Sequence, residues 1–206
     1  MTDAPATSGR GRLVVTALVA ALVAVLGTLW VVQARAAGPT DFGADAGFAR
    51  DMQTHHAQAV EMAFLVRDRS SDDELRTVAY DIITSQQQQA GQLYGWLVQW
   101  GLDQTGSRDP MAWVGGEHAA DHTAADGAMP GMATRQQLDE LRAADGVEAE
   151  RIFLRLMIAH HEGGVAMADA AVAGARTPEV RTLAGAIAAA QSSEIALLQR
   201  MLAERS

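Results

Sequence analysis

A chain of 206 residues with 49% apolar content is long enough for one domain with a sizeable core plus an appendage. Its net charge of −9 argues against nucleic acid and anionic lipid surfaces as partners. Cysteine is absent, which excludes disulfides, thiolate catalysis and thiolate metal sites, so soft-metal chemistry must come from Met and His.

Residues 1–36 read as the appendage. Leu13 to Val32 carries no charge and is preceded by Arg10 and Arg12, the polarity of a segment whose start stays in the cytoplasm. Its length suits a membrane anchor, while Ala34-Arg35-Ala36 has the small-x-small form of a signal cleavage site, so a retained anchor and secretion after cleavage both stand. Either places residues 37–206 outside the cytoplasm. Residues 1–36 hold three Arg against one Asp, which leaves −11 on the exported part.

The exported domain opens with a linker, residues 37–41, ending in a helix cap at Thr40 or Asp41. A first helix is expected to about Arg69, and a second from about Asp73 to Trp100, stopped by Gly101. The second has an apolar stripe of Leu75, Val78, Ala79, Ile82, Ile83, Ala90, Leu93 and Leu97, with Gln86 inside it. Residues 102–133 read as irregular, broken by several Gly and Pro. Thr134 and Gln137 form a capping box for a short helix closed by Gly146. A third long helix covers about Val147 to Ala175, and Thr177-Pro178 caps a fourth that runs to about Glu204.

One stretch of the first helix, Met52-x-x-His55-His56 with Met62 and Ala63 after it, returns 105 residues later as Met157-x-x-His160-His161 with Met167 and Ala168. On a helix, Asp45, Phe48, Met52, His55, His56, Ala59, Met62 and Ala63 fall in a sector of roughly 120°. Sliding residues 45–99 onto 150–204 without a gap gives 16 identities in 55 positions. A gapless match over whole helix pairs is the mark of a duplicated αα-hairpin. The expected architecture is all-α: a four-helix bundle of two such hairpins, repeat 1 at about 41–101 and repeat 2 at about 147–205, joined by a long crossover at 102–146.

Adjacent histidines on an apolar stripe are costly to bury unless something binds their nitrogens. Imidazole and thioether together suit Cu(I), and Ag(I) by the same softness, while imidazole alone also serves Cu(II) or Zn(II). Packing alone is the competing account, since Met is common core filler and a buried His can be hydrogen-bonded. Gln86 and Gln191 are expected to face the same interior and to hydrogen-bond the histidines in a second shell rather than to ligate. Asp45 and Glu150, at equivalent places near the helix starts, either favour the helix dipole or join the site. A metal-dependent oxidase on the same bundle is the enzymatic alternative; its carboxylate di-iron form is counted against by the lack of any Glu-x-x-His in the chain. Met111, His118, His122, Met129 and Met132 form an accessory soft-ligand group in the crossover, with Glu117 and Asp121 nearby, suited to capturing metal for the bundle.

The pattern Phe-x-x-x-Met-x-x-His-His-x-x-x-Val-x-Met-Ala, followed by a helix with Gln and a Trp-Leu ending, resembles the bacterial family catalogued as domain of unknown function 305. The likeness covers roughly residues 41–204 and includes Met129-Pro-Gly-Met132. It implies a ferritin-like four-helix bundle, an exported protein, copper binding as in some members, and Met52, His55, His56, Met62, Met157, His160, His161 and Met167 as the metal-facing set. Two departures stand out. The family's Gln-x-x-Glu appears as Gln191-x-x-Glu194 in the second hairpin but as Gln86-x-x-Gln89 in the first, and a Phe-Asp pair before the third helix is Ala149-Glu150 here. The expected partner is therefore a metal ion, with the membrane where the anchor is retained; a metal-free partner-binding bundle and a homo-oligomer are also compatible with the sequence.

Overall fold

A computed structural model describes residues 8–36, 38–115 and 129–205. They form two units, Met1–Gly38 and Pro39–Ser206. The first is the helix α1, Ser8–Ala36, within which Gly11–Val31 has a mean hydropathy of 2.5 and is long and apolar enough to cross a membrane.

The second unit holds α2 (Ala44–Arg69), α3 (Asp73–Trp100), α4 (Arg135–Ala143), α5 (Gly146–Gly174) and α6 (Pro178–Ala203). Every described element is helical. Local chemistry accounts for most helix ends. The Asp72 side chain accepts from Leu75 N at the start of α3, Gly101 closes that helix at φ 68°, Thr134 and Gln137 complete the capping box of α4, and Pro178 opens α6. Two ends differ from expectation. The cap of α2 is Gly43, because Asp41 turns back to pair with Arg50 at 2.6 Å. Gly146 opens α5 at φ 56° instead of closing α4, whose cap is Ala144.

Helices α2 and α3 pair as one hairpin and α5 and α6 as another, and α2 packs on α5 to join them into a four-helix bundle, with α4 laid on α2 and α5. The described ends of the crossover are not a free loop. Met111, Val114 and Met129 are buried, and the Asp51 carboxylate fixes the first end by accepting from Met111 N and Trp113 Nε1, both at 2.7 Å.

The core divides in two. The C-terminal half of α2 (Ala59, Met62, Ala63, Val66) clusters with the N-terminal halves of α3 and α5, including Phe153 and Met157, and with Leu198 and Met201 of α6. The N-terminal half of α2 (Ala46, Phe48, Ala49, Met52) clusters with Leu93 and Leu97, with Met167 and Ala171, and with Val180, Ala184 and Ile187. Helices α2 and α5 therefore run antiparallel. Between these two clusters each of the four helices presents buried polar side chains: His55 and His56, Gln86, His160 and His161, and Gln191.

Candidate metal centre

The polar layer follows from the sequence stripe. Helical spacing that points Met52, Ala59 and Met62 inward points His55 and His56 inward too, and the same holds for Met157 to Met167 on α5. All four imidazoles have 0% exposure. His55 and His160 meet ring to ring across the α2–α5 contact, centroids 3.7 Å apart, and His161 lies 6.4 Å from His160.

Two rings are held from behind. His55 Nε2 donates to the carbonyl of Pro130 at 3.0 Å, and His161 Nε2 to Glu194 Oε2 at 2.6 Å. Carbonyl and carboxylate oxygens only accept, so in the neutral ring Nδ1 is left as a lone pair. Neither Nδ1 has a hydrogen-bond partner; the Gln89 side chain lies near His56 and the His55 backbone near His160, but neither ring makes a well-formed hydrogen bond. Burial, the largest effect, pushes His55 down to about 4 and His56 to about 3, and holds His160 well below the usual imidazole range. His55, His56 and His160 are thus neutral imidazoles with unused lone pairs in a fully buried interior, and His161 adds an unpartnered Nδ1. Met52 and Met167 on one side and Met62 and Met157 on the other are fully buried in the flanking apolar clusters. Among the described residues, no three His, Asp or Glu side chains gather as a metal-holding group, so any centre there must draw on thioethers or on a shift of the rings.

The remaining candidates fall in three places. Gln86 and Gln191 lie in the layer, 2% and 3% exposed, but neither amide hydrogen-bonds a histidine; both are unpartnered. Asp45 and Glu150 are engaged at the bundle ends. Asp45 accepts from Thr177 N and Oγ1, both at 2.8 Å, and from Arg176 N; Glu150 accepts from Ser70 Oγ and from Arg205 Nε, both at 2.6 Å. Each holds the turn of the opposite hairpin, which keeps both away from the imidazoles. Of the accessory group, Met111 and Met129 are buried in the cluster that contains Met52 and Met167, and Met132 packs against it, whereas Glu117, His118, Asp121 and His122 lie outside the described residues.

The sequence reading overlooked the strap formed by Met129 to Ala133. Gly131, at φ 72°, lies against the backbone of Ala159 and His160, and Gly163 on α5 lies against the backbone of Pro130, so close that a Cβ at either would collide. Gln58 clamps the far end, accepting from Ala133 N at 2.6 Å and donating to Ala133 O at 3.0 Å. The signal available in sequence was Gly163-Gly164 in mid-helix, where glycine disfavours the helix and implies a close approach. Gly163 admits the strap, and Gly164 admits the Gln191 side chain.

The fold and this layer define a class: an all-helical bundle whose buried middle presents histidine between shells of methionine. The chain belongs to the family described as Domain of unknown function (DUF305), whose model matches residues 45–202. It is similar to a Streptomyces coelicolor DUF305 protein assigned as secreted, at 44% identity over 81% of this chain and 96% of that one, with a TM-score of 0.73. A DUF305 fragment from Deinococcus radiodurans matches at 34% identity over 78% and 96%, TM-score 0.64. CopM in its Cu(I)-bound form matches at 26% identity over 81% and 97%, TM-score 0.58; CopM is also solved in Cu(II)-bound and Ag-bound forms. No curated protein matches the chain.

Proposed function

We propose that this is an exported copper-binding protein, anchored through α1 or released after its removal, that sequesters Cu(I) in the histidine layer, with Ag(I) accepted by the same softness. His55, His56, His160 and His161 supply nitrogen, and Met52, Met62, Met157 and Met167 supply sulfur from either side. Gln86 and Gln191 would hydrogen-bond the rings once a bound ion reorients them, and Met111, Met129 and Met132 would add thioethers along the route inward.

The observation that carries this reading is the arrangement of His55 and His161. Each donates one ring N–H to an oxygen and leaves the other nitrogen bare and buried. Metal-ligating histidines are held in this way, because the backing oxygen fixes the ring and raises its basicity. The Cu(I), Cu(II) and Ag forms of CopM add support at family level.

Titration of the detergent-solubilised chain with Cu(I) under reducing conditions, and with Ag(I), tests it. High-affinity uptake is expected, and replacing His55, His56, His160 and His161 by Ala removes it; an unchanged affinity in that variant overturns the reading. The absence of a three-residue metal-holding group among the described residues favours a second reading, a bundle whose histidines only pack. Ligand binding to the folded state raises the melting temperature, so no uptake and no thermal shift with Ag(I) would select this alternative.

A further inference from the structure

One side of the bundle is not closed by its own helices. Helix α3 packs on α2, α6 on α5, and α2 on α5, but α3 and α6 leave a groove between them. Arg200 of α6 donates to Glu74 of α3 at 2.6 Å at one end of this side. At the other end Gln92 and Trp96 of α3 line the groove with Thr182, Leu183 and Ala186 of α6, so the two helices run antiparallel. Trp96 is half-buried and stacks on Trp100, ring centroids 6.1 Å apart.

Between those ends the surface carries no charge. Neither Ile82 to Leu102 nor Thr182 to Ser193 contains an Asp, Glu, Lys, Arg or His. The exposed helical positions in these stretches are Ser, Thr, Gln, Gly and Ala, together with Tyr94 and Val98. The outer surfaces of α2, α4 and α5 differ: they expose Asp68, Arg135, Asp139, Arg155 and Glu162. The exported part carries −11, which keeps copies apart wherever acidic surfaces would meet. A twofold contact sets one face against itself and brings its like charges together near the axis, at a cost in affinity. A charge-free face escapes that cost. Its glutamines each carry a donor and an acceptor and so can pair with their own kind, and a half-buried Trp is the residue type that anchors such contacts.

We propose that the α3–α6 side is the contact surface for a second copy of this chain, in a twofold dimer centred on Trp96, Leu183 and Ala186. The dimer is independent of the metal-binding reading, because the histidines lie inside the bundle and none of them lines this groove. Both long helices of the face come from equivalent places in the two hairpins, so the surface belongs to the bundle as a whole and not to one repeat.

The chain has no cysteine, so an introduced thiol reports its position without background. The full-length protein in detergent, treated with a short bifunctional maleimide, is expected to give a crosslinked dimer from Gln92→Cys or Ala186→Cys and none from Arg135→Cys on α4. Light scattering corrected for bound detergent should give the mass of two chains for wild type. Ala186→Glu puts a carboxylate on the face and should weaken dimerisation about a hundredfold or more, since like charges brought together at an interface are strongly unfavourable. Ala186→Ser leaves the face uncharged and should keep the dimer, and equal helical content in both variants shows that the bundle is intact. A wild-type protein of one chain, a dimer unmoved by Ala186→Glu, or crosslinking from Arg135→Cys as efficient as from the face overturns the proposal. A single chain whose dye-labelled Gln92→Cys shifts to the blue on phosphatidylcholine vesicles also overturns it, and assigns the face to the bilayer instead. Ag(I) uptake by a protein that stays a single chain leaves the metal-binding reading standing alone.

Discussion

His55 and His160 stand ring to ring between α2 and α5, centroids 3.7 Å apart with planes inclined by 34°, and His160 has no hydrogen-bond partner at either nitrogen. Desolvating an imidazole without pairing its polar atoms is unfavourable, so an apolar side chain of similar size fits this position better in the metal-free protein. His160→Leu should therefore raise metal-free stability in a denaturant titration, by about 1–2 kcal/mol, and abolish stabilisation by Ag(I). A variant that is markedly less stable without metal would mean that the ring pair itself holds the bundle together.

Acid should unfold the metal-free protein through this layer. His55 and His56 ionise at about 4 and about 3 in the folded chain, mainly because burial disfavours the charged ring, and His160 also lies well below the ordinary value of 6.5. The unfolded chain takes up protons as pH falls through about 6.5 while the folded chain does not, so the unfolded state binds more protons in that window. Stability is level above about pH 7 and falls between pH 6.5 and pH 4, by up to roughly 1.4 kcal/mol per pH unit for each such histidine. Denaturation midpoints at pH 7 and pH 5 measure this. The difference between the pH 7 and pH 5 values should shrink in a variant with Leu at positions 55, 56 and 160, and an equal difference in both proteins would place the acid sensitivity elsewhere.

The strap over the layer depends on two glycines. A methyl group at Gly163 would strike the Pro130 carbonyl, the group that accepts from His55, and one at Gly131 would strike Ala159 in addition to straining a φ of 72°. Gly163→Ala should lift the strap and release His55 Nε2, at a cost of about 1–3 kcal/mol, the scale of overpacking a fitted contact. Limited proteolysis near residues 129–133 should accelerate in the same variant. Gly91 on α3 has open space around its Cα, so Gly91→Ala serves as a control and should stabilise by up to about 1 kcal/mol through helix propensity. Equal melting temperatures for Gly163→Ala and wild type would remove the strap from the account.

What the sequence revealed and what it hid follow from the reach of the signals. The ends of α3, the capping box of α4 and the start of α6 were legible because Asp72, Thr134, Gln137 and Pro178 act within a turn of themselves. The inward direction of the four histidines was legible because helical periodicity fixes it. The start of α2 was misplaced because Asp41, a good local cap, is drawn away by Arg50. Gly146 looked like a terminator because a left-handed glycine closes helices more often than it opens them. The Pro130 contact was invisible, since a backbone carbonyl carries no sequence signature and residue 130 lies 75 positions from His55. Asp45 showed itself as an acid in the first turn of α2 and on the histidine face, but its partners on the other hairpin, 132 positions away at Thr177, could not be read from spacing.

That long-range contact yields the last prediction. Thr177 precedes α6 but makes no side-chain cap of its own, and the Asp45 carboxylate takes the backbone N–H groups of Arg176 and Thr177 as well as the Thr177 hydroxyl. Asp45 thus works as the capping group of a helix on the other hairpin, and Glu150 does comparable work on the α2–α3 turn through Ser70 and, with Arg205, through Asp72. Asp45→Ala leaves those donors without their carboxylate partner at a part-buried helix end, which should cost about 1–2 kcal/mol, the scale of a lost cap. Asp45→Asn retains an acceptor and should cost less. Because these bonds lie at the ends of the bundle, with an apolar cluster between them and the imidazoles, neither change should alter Ag(I) affinity by more than about twofold, a difference of roughly 0.4 kcal/mol. Stability and affinity measured side by side distinguish the two roles: a loss of Ag(I) affinity as large as the loss of stability would make Asp45 part of the metal centre rather than a tie between the hairpins.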